Sequence, residues 1–269
     1  MKNQDVSHYL SGTSRARRQR KLVYWFIFVI SVFYLLFIGF GALVLKTGLF
    51  RAKEIKIVGN QEVAESDIRM ALQSQVFGGH YLYYLFGFNN LLIWPDHIEN
   101  PDKFLPQIKS LDVDKSYWAK TIAVRVTERT PYGIWCASAR GEACFWFDDS
   151  GKIFKKGPLS QGNLIKTVTD LSGRPLGLNG YVLPADYFLN LRSIFEALDE
   201  SGLGVKSVEL KDLGLEEVTV NTVDGPAIYF SLRFPSNWTP TILTELMSKN
   251  IFAKLKYVDL RIENRAYYK

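Results

Sequence analysis

The sequence predicts an α+β protein carried on a single N-terminal transmembrane helix, and three observations carry that prediction. Residues Leu22 to Leu45 form a run of 24 residues without a charge. Beyond this run, short alternating apolar segments and segments of helical apolar spacing follow one another. The second half is β-rich, with Gly, Asn and Asp turn signals between its strands, as in a mostly antiparallel sheet with packed helices.

The uncharged run comes first in chain order. Its polar features are Ser31 and the hydroxyls of Tyr24 and Tyr34. A helix rises ~1.5 Å per residue, so about 20 apolar residues cross the hydrocarbon core and residues 22–45 suffice with room to tilt. Arg15, Arg17, Arg18, Arg20 and Lys21 crowd its amino side, and Lys46, Arg51 and Lys53 are sparser beyond it. The positive-inside bias therefore puts residues 1–21 in the cytoplasm and the rest outside. A cleaved signal fits poorly, because an h-region has roughly 7–15 residues and no small-x-small site follows.

Charge narrows the partners. Of the formal net charge of +6, residues 1–21 contribute +5, with six Lys/Arg against Asp5. The remainder carries only +1. A nucleic-acid surface is not indicated outside the membrane. The basic tail, polar and without a periodic apolar face, suits anionic headgroups. About 220 residues remain for the external region, enough for two ordinary domains.

Ala52 to Val58 alternates, with Ile55 and Ile57 against Glu54 and Lys56, and ends in the turn pair Gly59-Asn60. Ile68, Ala71, Leu72 and Val76 then recur at helical spacing behind the acidic Glu65 and Asp67, which suit a helix amino end. The stretch Phe77 to Trp94 is dense in aromatics, and its Gly78, Gly79, Gly87, Asn89 and Asn90 break a long helix. It reads as a loop packed on its own domain, with a membrane-surface contact as the alternative. Phe104, Leu105 and Ile108 predict a short second helix limited by Pro106. Leu111 and Val113, then Ile122, Val124 and Val126, predict two strands joined by a hairpin turn over Lys115–Lys120.

These residues carry a family resemblance. The segment "FRAKEIKIVGN" from Phe50, followed by "VAESDI", looks like the opening of a POTRA domain directly after a membrane anchor. The segment "FLPQIKSLDVDKSYWAKTIAVRVTERTPYGIW", Phe104 to Trp135, resembles the exit from the POTRA domain of the bacterial division proteins FtsQ and DivIB. The chain departs from that pattern at Ala119, where proline is usual, and at Ala64, where a capping serine is common. The resemblance implies a β-α-α-β-β POTRA domain at 50–129 and an FtsQ-type β domain at 130–269, after the tail (1–21) and membrane helix (22–45).

In the second half, Ile134–Cys136 and Cys144–Phe147 are expected to pair as a hairpin that brings Cys136 and Cys144 together. An extracytoplasmic location permits a disulfide there, and two buried free thiols are the other reading. "WFDDSGKIF" is a good hairpin and resembles the same family. Its aspartates need no role beyond the turn. Leu164–Val168 is expected to be a strand. Tyr187, Leu191, Ile194, Phe195 and Leu198 line a helix that stops at Gly202, and three further strands follow, with Asp224-Gly225 as the hairpin signal between the last two. Thr239-Pro240 reads as a cap and first helical position of the last helix. The final segment "LKYVDLRIENRAYYK" alternates as one terminal strand and resembles the family's "YVDLR" ending.

No catalytic, cofactor or metal constellation is expected. His8, His80 and His97 lie in no metal or nucleophile motif, and Cys136 and Cys144 lie in no transpeptidase motif. Binding is the expected activity. A terminal strand can leave a sheet edge open to an extended partner. In FtsQ-like proteins the corresponding region receives an FtsB- or DivIC-like protein, which brings an FtsL-like one. Carried over, the match falls on Arg261, with Ile262, Glu263, Asn264, Arg265 and Ala266 following by position. Neither nucleic acid nor a small-molecule substrate is expected as a partner. Two other classes stay open: a POTRA-containing secretion or outer-membrane assembly factor, which needs barrel strands not found here, and a membrane-anchored envelope enzyme.

Overall fold

The computed structural model describes residues 5–48, 50–78, 81–137, 143–159, 165–249 and 251–269. It is an α+β structure with one N-terminal apolar helix and a large mixed β-sheet. Helix α1 (Asp5–Thr47) contains the stretch Gln19–Leu43, which is long and apolar enough to cross a membrane. Its apolar side chains are left exposed by the rest of the chain, Phe37 by 75%. Such an all-round apolar helix has no stripe to bury in a core, which is the pattern of a span.

The chain falls into two compact units. The first comprises Met1–Lys56, His80–Trp94 and Lys115–Ile122, and the second Ile57–Gly79, Pro95–Asp114 and Ala123–Lys269. In the first unit, α1 is followed by a short bridge between Arg51 and Asn90. Ala52 N–H donates to the Asn89 carbonyl at 2.7 Å, and Leu91 N–H to the Phe50 carbonyl at 2.8 Å. The aromatic stretch is not all loop. Tyr81–Phe86 forms a one-and-a-half-turn helix, α2 being the earlier Glu65–Ala71 and α3 this one. Gly87 (φ 75°) closes α3, its N–H bonding the Tyr83 carbonyl at 2.8 Å. Phe88, Leu91 and Trp94 are buried, and the Trp94 indole donates to the Phe88 carbonyl at 2.7 Å. His80, one of the three histidines, lies outside the described residues.

A four-stranded sheet has the order β1-β4-β3-β2, with β1 at Glu54–Val58, β2 at His97–Ile98, β3 at Ile108–Ser116 and β4 at Thr121–Glu128. Helix α2 runs on through a π-turn at Leu72–Val76, and its Ile68 and the following Leu72 are fully buried. Ala64 at its amino end offers no side-chain cap. Instead the Glu128 carboxylate gathers the N–H groups of Gln61, Glu62 and Val63 at 2.8–3.2 Å. The helix expected around Phe104–Ile108 is absent. A 3₁₀ turn occupies Pro101–Lys103 and Ile108 already opens β3. Pro106 explains the difference, because it disfavours helical backbone at Leu105 and supplies no N–H of its own.

The second unit holds a nine-stranded sheet of order β13-β12-β11-β10-β9-β8-β5-β6-β7. Its strands are β5 (Gly133–Ala137), β6 (Ala143–Phe147), β7 (Ile153–Gly157), β8 (Thr167–Asp170), β9 (Val205–Leu210), β10 (Glu217–Thr222), β11 (Ala227–Ser231), β12 (Tyr257–Ile262) and β13 (Arg265–Tyr268). The sheet is mostly antiparallel, as expected, but mixed: β5/β8, β8/β9 and β11/β12 run parallel. Two of those pairs have a helix between their strands: α4 (Ala185–Ser201) between β8 and β9, and α5 (Thr239–Ser248) between β11 and β12. A helical crossover returns the chain in the same direction, so it makes parallel neighbours where a tight turn cannot.

The apolar stripe expected on α4 is buried: Leu191, Ile194, Phe195 and Leu198 join Val208, Leu210, Val218, Val220, Ile228, Phe230, Val258 and Leu260 in one core. Gly202 (φ 65°) ends α4 in the left-handed conformation. Thr239 is not the cap of α5. Trp238 occupies that position, and the buried Thr239 hydroxyl donates to the Ser236 carbonyl at 2.8 Å. The expected strand at Leu164–Val168 forms later, at Thr167–Asp170, and Leu164 lies outside the described residues.

Cys136 and Cys144 are directly paired in the β5/β6 register, and their sulfurs are bonded. They pack with Ile134 as a small cluster separate from the main core, because alternation turns Trp135 to the opposite face. The bridge spans a sequence separation of 8. Closing a loop of that length removes denatured-state entropy worth about 2.5 kcal/mol. Cys136→Ser/Cys144→Ser is expected to lose roughly that amount in denaturant unfolding, as is the native chain under reductant.

Candidate functional site: the terminal sheet edge

The site is built by the alternation of β12. Val258 and Leu260 point into the core and are 0% and 1% exposed, which sends Tyr257, Asp259 and Arg261 to the open face. Neighbouring β11 and β10 bring Tyr229 and Glu217 to this face, as the register Tyr229↔Asp259 requires. Arg261 organises it. The guanidinium grips both oxygens of Asp259, Nε to Oδ1 at 2.9 Å and Nη2 to Oδ2 at 2.6 Å, and reaches Glu217 Oε2 through Nη1 at 2.9 Å. On the way it crosses the Tyr229 ring, 5.3 Å from the centroid. Tyr229 in turn lies 6.1 Å from the ring of Tyr257.

These pairings set the charges. Hydrogen bonds from Arg261, outweighing partial burial, hold the Asp259 carboxyl below its ordinary range. The Asp259 and Glu217 carboxylates raise the proton affinity of Arg261. Arg261→Ala is expected to lower stability by about 1 kcal/mol, because the pair is partly exposed and bidentate pairing only partly escapes screening. Denaturant unfolding at low and high salt measures it, with the smaller loss at high salt.

The chain does not end in a single strand, contrary to the sequence expectation. Glu263 and Asn264 form a turn, with Asn264 at φ 57°, and β13 folds back antiparallel on β12 with Val258↔Tyr268 and Asp259↔Tyr267. Asparagine tolerates this left-handed geometry. The six expected partner-binding positions therefore separate: Arg261 and Ile262 finish β12, Glu263 and Asn264 make the turn, and Arg265 and Ala266 begin β13. Arg261 is engaged within the sheet, Ala266 packs on the core and Ile262 is half exposed. Tyr267 and Tyr268, 48% and 53% exposed on the outermost strand, were missed. The signal for them was Asn264 inside an alternating segment, since asparagine favours turns and tolerates left-handed backbone.

The two edges of this sheet differ. β7 carries Lys155 and Lys156, and Lys155 pairs with Glu62 at 2.6 Å. Lysines on an edge discourage further pairing. β13 carries one charge, Arg265 at its start, with Lys269 just beyond its end and Ala266, Tyr267 and Tyr268 between them. Lys269 N–H donates inward to the Tyr257 carbonyl at 3.3 Å, so strand alternation turns the Tyr268 N–H outward. That edge can accept an extended segment through main-chain hydrogen bonds, with tyrosine rings to cover it.

Among the described residues, no group of three or more His, Cys, Asp or Glu side chains is placed to hold a metal ion. No protein-family model and no curated protein matches the chain.

Proposed function

We propose that this protein is a single-pass membrane scaffold of the bacterial division machinery, of the FtsQ/DivIB kind, with its N-terminus cytoplasmic and its β-rich region outside. In this reading the segment 50–129 is a POTRA domain and 130–269 the partner-binding β domain. The protein performs no catalysis, and it holds FtsB/DivIC-like and FtsL-like proteins at the septal membrane, where they regulate peptidoglycan synthesis. The observation that carries the reading is the unguarded β13 edge, joined to the resemblance, strongest over Ala52–Trp135 and Leu255–Arg261. The apolar helix supports the anchor.

The test is direct binding of the full chain in nanodiscs to the FtsB-like protein of the same organism. Removal of residues 265–269 is expected to abolish binding while circular dichroism stays unchanged. Undiminished binding without those residues would contradict the reading.

A further inference from the structure

The hairpin joining β3 and β4 presents Trp118 fully to solvent, 100% exposed, with Tyr117 beside it at 50%. An indole and a phenol present ~150–250 Å² each, and both prefer a setting with one apolar and one wet side. Burial among the described residues does not account for Trp118, and the turn is already held by the Ser116 hydroxyl, which accepts from Ala119 N–H at 3.3 Å.

The location of this tip limits what covers it. Tyr117 meets the ring of Phe50 edge-on at 6.5 Å. Phe50 follows the last residue of α1, Thr47, by three positions, a tether of at most about 11 Å. Lys53 N–H donates to the Lys120 carbonyl at 2.7 Å, fastening the same tip to the chain that leaves the helix. Arg51 and Lys53 are exposed there as well, and Tyr84 on α3 of the same unit is 79% exposed. Exposed aromatics mixed with Arg and Lys at the end of an apolar helix have the composition of a membrane interface layer.

We propose that the Tyr117–Trp118 tip, with Arg51 and Lys53, seats on the lipid headgroup layer where α1 leaves the membrane. The inference rests on α1 spanning a bilayer. The occupant is lipid, because the tip is fastened to the chain segment that leaves the apolar helix and is flanked by cations. A surface for a protein partner would place it in water when no partner is present.

Ala119→Cys in the full chain takes a nitroxide, the two native cysteines being bridged. The protein is reconstituted in nanodiscs of zwitterionic and anionic lipid, and the label's accessibility to oxygen and to a water-soluble nickel complex is read by power saturation. The expected result is headgroup depth, with nickel accessibility several-fold below that of free nitroxide in buffer. Adding Trp118→Ser and Tyr117→Ser should return the label to the aqueous value; since Trp118 is fully exposed, the fold should survive. Full aqueous accessibility with both aromatics present, or a depth unchanged without them, would overturn the proposal. A second label at Gly39→Cys, where no neighbouring atom lies within 4 Å of the added side chain, separates the two levels of failure. If it reads water, α1 does not span and the proposal falls with the anchor. If it reads hydrocarbon while position 119 reads water, only the seating is wrong.

Discussion

Asp148→Ala is expected to cost about 3–5 kcal/mol, the largest loss at any single polar position considered, because it strands a buried cation. Asp148 is 1% exposed and pairs with Arg129, itself 9% exposed. Its other oxygen accepts the N–H and hydroxyl of Ser150 at 2.9 and 2.6 Å and the N–H of Lys152 at 2.9 Å. Lys152 carries the network on to Asp102. Burial pushes the Asp148 carboxyl up, and the bonds from Ser150, Lys152 and Arg129 more than offset this, leaving it below the ordinary range. Asp170 repeats the arrangement with Ser172, Arg174 and the Trp135 indole, and burial is again outweighed.

The sign of the pH dependence follows. A carboxyl whose folded pKa is depressed adds stability in full above its unfolded pKa, about 4, and that contribution is lost as pH falls through the lower folded value. Unfolding free energy should therefore be flat near neutrality and fall below about pH 4. Asp148→Asn should flatten that acid slope as well as lower the plateau. Chemical unfolding at a series of pH values gives both, and a slope unchanged by the substitution would remove Asp148 from the acid response.

The second large effect is on binding. Tyr268→Pro deletes an N–H that points away from β12, so the hairpin keeps its own ladder while an added strand loses a donor and meets the proline ring. One lost main-chain bond is worth about 0.5–1.5 kcal/mol, and the ring's obstruction of close approach adds to it. A loss of affinity of at least roughly tenfold is expected. Tyr268→Ala keeps the N–H and should lose less.

Local chemistry was legible in the sequence where partners are near. The α4 stripe from Tyr187 to Leu198, its Gly202 stop and the facing of Cys136 and Cys144 need only periodicity and turn residues, and they appear where expected. What depends on distant partners was not legible. Asp148 reads as a turn residue until Arg129, 19 positions away, is placed against it, and Asp170 has its indole donor 35 positions away. The parallel pairs were also hidden, because alternation within a strand says nothing about the direction of its neighbour. Two misses were local and avoidable: Pro106 argued against a helix at Leu105, and Asn264 marked the turn that creates β13. The second matters most, since it moved the candidate edge from Arg261 to Tyr267 and Tyr268.

The most direct test of strand addition compares the native chain, Tyr268→Pro and Tyr268→Ala in nanodiscs, titrated with the FtsB-like partner by calorimetry or interferometry. The account predicts that proline weakens binding by at least roughly tenfold and alanine by much less, because the backbone is what the partner reads. Equal affinity for the native chain and Tyr268→Pro would contradict it and move the interface away from this edge.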